Sequence, residues 1–289
     1  MQAEEGGFGA FLESWNLFRD PILAGSLVGA VLGFLGVYVV LRRMVFLSAA
    51  LSQCAGFGVA LALFAEAQWG AVMLVTSPRL ATLVVTLATA ALLSLTHQDT
   101  STRRDSWLGF AFLLGAAGTL AIGTRISSGN QEIQSILFGS AVAILPEDLL
   151  TVVIASAVML GLHIWWLRGF SQVSLDPDGA YVRGLPVRLL EVTLLLSLAL
   201  AISLFTQILG ALPVFAFSVL PAMAALRVSI HVPMALTVAA TLGAAAGFVG
   251  YAFAFVYELP VGASQTLVAL GAVLAAELVR TAAVRGRRA

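Results

Sequence analysis

Between Arg42 and Gly58 the chain reads Arg-Arg-Met-Val-Phe-Leu-Ser-Ala-Ala-Leu-Ser-Gln-Cys-Ala-Gly-Phe-Gly, which sets Ser48, Ser52, Gln53 and Cys54 in an otherwise apolar stretch. Hydroxyls and amides can hold a polar solute, and a thiolate can bind a soft metal. A lone neutral amide is a poor ligand for zinc, which takes His, Cys or carboxylate. On a helix Cys54 points about 100° away from Gln53. A single thiol in hydrocarbon is costly to ionise, so Cys54 reads as a small packing residue.

Few other residues invite chemistry. His97 and His231 fall at expected cytoplasmic helix ends, and His163 lies beside Trp165 and Trp166, an ordinary interfacial place. Glu66, Glu191, Glu258 and Glu277 fall near expected helix ends, where snorkelling or headgroup contact accounts for them. No His-Glu-x-x-His, paired intramembrane Asp or Gly-x-Ser-x-Gly is present, which argues against a membrane enzyme. The chain has no lysine at all, so it has no phosphate-cradling Gly-x-x-x-x-Gly-Lys-Ser/Thr loop of its own.

The elements that must position these residues follow from the composition. A chain of 289 residues that is 60% hydrophobic and 10% charged cannot hide its apolar surface inside one water-soluble globule. A bilayer crossing needs about 20 apolar residues. The expected fold is all-α and polytopic, with nine membrane-spanning helices at about 21–41, 47–66, 79–97, 107–123, 147–167, 189–206, 207–226, 231–256 and 261–282. Eight helices are the alternative, because the break near Gln207 is only a polar interruption. The first twenty residues are acidic and polar, without a signal peptide's basic start, so the first apolar run is expected to stay as a helix. The single cysteine says nothing of redox compartment.

Arginine in short loops holds a segment on the cytoplasmic side. With the N-terminus outside and the C-terminus inside, only Arg19, Arg79 and Arg125 lie outside, and every other arginine lies inside or at the inner boundary. The organisation expected is an extracytoplasmic segment 1–20, one permease domain 21–282 and a basic cytoplasmic tail 283–289. Two longer loops, Thr124 to Pro146 outside and Arg168 to Arg188 inside, are placed to carry contacts. Gly25, Gly29 and Gly33 repeat every four residues, as do Ala239, Gly243 and Gly247. Such stripes let helix backbones approach closely, either within the chain or across a homodimer seam. Pro213 and Pro221 are placed to interrupt the seventh helix, as ordinary membrane-helix prolines or as the break of a transport pathway.

The order of motifs resembles the integral membrane permeases of the zinc/manganese/iron ABC importer family, over residues 20 to 282. The resemblance rests on Arg42-Arg-Met44, Asp105-Ser-Trp-Leu-Gly-Phe110, Ser135-Ile-Leu-Phe-Gly139 followed by Pro146-Glu-Asp148, Asp176-Pro-Asp-Gly-Ala-Tyr-Val-Arg-Gly184, Gln207 through Ala222, and Glu258-Leu-Pro-Val-Gly262. It implies a plasma-membrane permease subunit with no cofactor of its own. The implied partners are a cytoplasmic ATPase that binds ATP, an extracytoplasmic solute-binding protein and a second copy of the chain, with no nucleic acid. It also implies that the 176–184 segment docks into the ATPase. Read physically, Asp176 is an N-cap, Pro177 the first helical residue, Asp178 and Ala180 lie in the helix, and Gly184 stops it.

The opening stretch departs from that family. Relatives carry Gly-Asp-x-Leu-x-His-Ala after Arg-Arg-Met, and alignment on Arg42-Arg-Met44 and Leu51 puts Ser48 at the Gly, Ala49 at the Asp and Gln53 at the His. An Asp and a His at that spacing share a helix face and can share one ion; Ala49 cannot coordinate. The translocation path is therefore expected along Ser48, Ala49, Ser52, Gln53 and Gln207, with no metal-ligating set. Three explanations stay open: a divalent metal moving along a looser polar path, a chelate or small organic solute, or a scaffold that no longer transports. The topology itself is testable with single-cysteine reporters. Those at Ser101 and Asp178 should react only from the cytoplasmic side, and those at Asn130 and Ala263 only from outside; same-side labelling of Asp178 and Asn130 overturns the nine-helix map.

Overall fold

The computed structural model describes residues 15–70, 77–95, 101–125 and 144–286. Eleven helices follow one another among them: α1 Trp15–Leu41, α2 Val45–Trp69, α3 Pro78–Leu95, α4 Ser101–Gly123, α5 Pro146–Trp165, α6 Leu167–Leu175, α7 Pro177–Val182, α8 Val187–Leu209, α9 Ala211–Val228, α10 Val232–Tyr257 and α11 Val261–Gly286. The nine long helices match the nine expected runs one for one. Eight of them are long and apolar enough to cross a membrane, while the apolar part of α3, Pro78–Ser94, is shorter. His97, the outer loop about Asn130 and the motif 135–139 lie outside the described residues.

Helix ends follow local chemistry. Prolines open α3, α5 and α7, where the missing N–H would have no intrahelical partner. Gly70 and Gly210 close α2 and α8 with φ of 71° and 92°, a region that suits a residue without Cβ. The break between the sixth and seventh long helices therefore falls at Gly210 and not at Gln207. Gln207 stays inside α8 because its Nε2 donates to the Ser203 carbonyl at 3.1 Å and satisfies itself on its own helix. Pro213 sits in the first turn of α9, where it removes no helical hydrogen bond, whereas Pro221 lies inside the helix. The inner loop from Arg168 to Arg188 is also more ordered than expected, since it holds α6 and α7. Trp166 separates α5 from α6, which buries Phe170 and Val173 and exposes Leu175.

The chain divides into two compact units, 1–40 with 140–160 and 216–289, and 41–139 with 161–215. In the first, the two small-residue stripes meet each other. A Cβ on Gly29 would lie 2.2 Å from the Gly243 carbonyl oxygen, one on Gly33 2.4 Å from that of Ala239, and one on Gly247 2.5 Å from that of Gly25. The register runs 25 with 247, 29 with 243 and 33 with 239, so α1 and α10 are antiparallel and in backbone contact. Small residues permit that approach, and it brings Cα–H groups and carbonyls together. The stripes thus serve packing within the chain. Gly36 similarly admits the Ser218 carbonyl of α9, at 2.4 Å from a built Cβ.

In the second unit, α2 packs against α3, α4 and α8. Gly115 of α4 lies on the α2 backbone, where an added Cβ would stand 2.6 Å from the Gln53 carbonyl carbon, and Gly118 faces the Phe57 ring at 2.5 Å. Gly58 in turn admits the α3 backbone at Thr82.

These contacts predict unequal costs for one substitution. Gly243→Ala should destabilise the detergent-solubilised protein by about 1–3 kcal/mol through overpacking against a carbonyl. Gly271→Ala, where an added Cβ meets nothing within 4 Å, should be neutral or slightly stabilising. Unfolding midpoints followed by circular dichroism compare the two, and equal midpoints would refute the α1–α10 seam.

Candidate functional site

Four of the residues singled out for a path lie in the first third of α2. Ser48 and Ser52 are completely buried and one turn apart, and Ala49 is nearly so at 6% exposure. Gln53 is half-buried. The Ser52 hydroxyl has no hydrogen-bond partner in the structure. A buried hydroxyl in that state costs about 1–3 kcal/mol. Cys54 is buried, and its sulfur donates to the Ala111 carbonyl at 3.3 Å, in line with a packing role against α4. Gln207 stands on α8, a neighbour of α2, with its amide turned back on its own backbone. Among the described residues no group of three or more His, Cys, Asp or Glu side chains is placed to hold a metal ion.

The ends of α2 and α8 are tied by charge. Arg42 precedes α2 and forms an ion pair with Glu191 of α8, with side chains 10% and 24% exposed. A pair sheltered from water in this way is screened less and fixes geometry more than a surface pair does. Glu191 is thus a structural partner where a snorkelling role was expected, and Glu277 likewise pairs with Arg227 in the other unit. His163 also departs from its interfacial expectation. It is fully buried, with Nε2 3.2 Å from the Ser197 hydroxyl and its ring stacked on Phe170 at 4.6 Å. No local pattern announced this, because α6, which brings Phe170 over the ring, read as loop.

The segment 176–184 is a closed local unit. Asp176 Oδ1 accepts from the Gly179 amide at 2.9 Å, and Pro177 occupies the first turn. At the other end Gly184, with φ of 77°, donates to the Tyr181 carbonyl, and Leu185 donates to that of Ala180. This pair of bonds is the Schellman arrangement, which needs a left-handed residue at the Gly184 position. Ala180 is 1% exposed and seats the helix against its own chain. Asp176, Pro177, Asp178 and Gly184 are exposed, and Tyr181 and Val182 stand out at 76% and 85%. Tyr181 and Val182, two residues not singled out in the sequence, are therefore the large apolar side chains this helix turns outward, and Ala180 is not part of that surface.

A profile described as the ABC 3 transport family matches residues 14–280. The manganese transport system membrane protein MntC of Halalkalibacterium halodurans is 26% identical over 258 residues, covering 89% of this chain and 85% of the relative. The high-affinity zinc uptake system membrane protein ZnuB of Haemophilus influenzae is 28% identical over 214 residues, 74% of this chain and 78% of the relative. Among solved structures, PsaBC from Streptococcus pneumoniae in complex with Fab superposes with a TM-score of 0.80 at 22% identity, over 93% of this chain and 95% of that one.

The capped segment generates its own test. Asp176→Ala removes the acceptor for the Gly179 amide and should cost α7 about 1 kcal/mol. Hydrogen exchange of the amides at 179–182, read by mass spectrometry, should speed up about fivefold. Unchanged protection would show that the cap does not hold the helix.

Proposed function

Because the chain belongs to the ABC 3 transport family, we propose that it is the membrane-spanning permease subunit of an ATP-driven importer for a divalent transition metal, manganese or zinc. The family match over nearly the whole chain carries this reading, and the names of the manganese and zinc relatives supply the cargo class. The protein is a multi-pass component of the plasma membrane and a transporter part, not an enzyme. With no lysine and no phosphate-binding loop in the chain, ATP is bound and hydrolysed by a separate cytoplasmic subunit.

The 176–184 segment is the handle for that subunit. A six-residue helix closed at both ends, with Tyr181 and Val182 outward and Ala180 seated inward, can pass a push from a partner to α6 and α8 without unwinding. An extracytoplasmic binding protein delivers the solute, and a second copy of the chain completes the pathway.

Ala49 and Gln53 favour a second reading. The path offers hydroxyl and amide oxygens where a carboxylate and an imidazole would strip and hold an ion, so the cargo on this reading is a chelate or small polar molecule. A scaffold that does not transport is the remaining alternative.

Reconstitution with the partner ATPase and binding protein in proteoliposomes separates these readings. Expected are ATP-dependent accumulation of manganese or zinc and a loss of at least about tenfold in the double variant Tyr181→Ala, Val182→Asp, with insertion intact. Ala49→Asp with Gln53→His should create a zinc-stabilised protein in thermal titration, where the native chain shows little response. Uptake of a chelate without uptake of free metal would establish the second reading. ATP-driven uptake of neither would leave the scaffold.

A further inference from the structure

We propose that the second unit binds one anionic phospholipid in a cavity at the cytoplasmic membrane boundary. The cavity has a volume of about 740 Å³ and is enclosed by the start of α2, the ends of α3 and α7, the first turns of α4 and α8, and the 185–186 turn. Its polar residues are Arg42, Arg188, Glu191, Ser94 and Tyr181; its apolar ones include Leu189 and Val192, which are exposed, over a floor of buried leucines such as Leu47 and Leu195. The lining therefore combines charge with hydrocarbon.

The charges do not cancel. Arg42 is committed to Glu191 in the ion pair that joins α2 to α8. Arg188, three residues before Glu191 on α8, is exposed and adds a net positive charge. Both arginines stand on the side to which the arginine distribution assigns the cytoplasm, at the ends of membrane-spanning helices, where phospholipid phosphates lie.

The occupant must satisfy both parts. A free phosphate or nucleotide would meet the arginines but leave Leu189 and Val192 wet, and a neutral detergent tail would do the reverse. A phospholipid lays an acyl chain on the exposed Leu189 and Val192 and sets its phosphate by Arg188 and the Arg42 end of the ion pair. An anionic headgroup is preferred over a zwitterionic one because the charged wall is net positive. Each arginine near the headgroup layer contributes about fivefold to that preference. The site meets α2 at Arg42, Met44 and Leu47, just before Ser48, and shares Tyr181 with the 176–184 segment.

The test uses the full-length protein, delipidated in a neutral detergent, with thermal midpoints titrated against phosphatidylglycerol, phosphatidylcholine and glycerol phosphate. Phosphatidylglycerol should bind at least about fivefold more tightly than phosphatidylcholine, and glycerol phosphate should give no response. Arg188→Glu, a change at an exposed position, should abolish the preference while leaving the lipid-free midpoint unchanged. Ser94→Trp, which fills the chamber, should weaken both lipids. Equal binding of the two lipids, a preference that survives Arg188→Glu, or an equal response to glycerol phosphate would overturn the proposal. So would a cavity that responds only to added ATPase, which would assign it to a protein partner.

Discussion

Gly29 and Gly243 leave no room between them for a single methyl group, and the first unit is arranged around that contact. In a membrane there is little hydrophobic drive for two apolar helices to meet, because lipid tails are as apolar as leucine. What draws α1 to α10 is close backbone packing, which exists only where side chains are absent for several turns in a row. The four-residue spacing of Gly25, Gly29 and Gly33 opposite Gly247, Gly243 and Ala239 keeps that absence on one face for about two turns. Once the axes are this close, Gly36 must also admit α9, and Gly250 must admit α11 at Gln265.

The second unit meets the same constraint differently. Its centre is α2, a helix whose polar side chains lie buried among neighbours that come in through single glycines, Gly115 and Gly118 from α4, and through its own Gly58 for α3. The ion pair of Arg42 with Glu191 then sets where the start of α2 stands against α8. Ser48, Ser52 and Gln53 are thus held on a rigid helix, and their chemistry is decided by residue type more than by motion. Where the resemblance implies a carboxylate and an imidazole, Ala49 and Gln53 leave that part of the helix without charge.

Much of the fold was legible because runs of about 20 apolar residues leave few choices. The caps of α7 were equally plain, since Asp-Pro and a following Gly carry their conformations with them. Gln207 misled because a polar residue in an apolar run looks like an interruption, yet a glutamine can spend its amide on its own helix and leave the helix whole. The small-residue stripes announced close packing without naming the partner, because a stripe fits another chain as well as its own. Burial of His163 and exposure of Tyr181 and Val182 depend on neighbours far away in sequence, which no local pattern encodes. Gly115 and Gly118 escaped for a similar reason, since two glycines three residues apart do not mark a stripe.

The seam between α1 and α10 also decides how these two helices can move. With a rise of about 1.5 Å per residue, a slide of about 6 Å would bring the next small residues opposite one another. Any smaller slide drives a Cβ into a carbonyl. Sliding is therefore restricted to whole steps of one repeat, each of which must first part the backbones. The seam thus holds α1 and α10 as one piece against small sliding displacements.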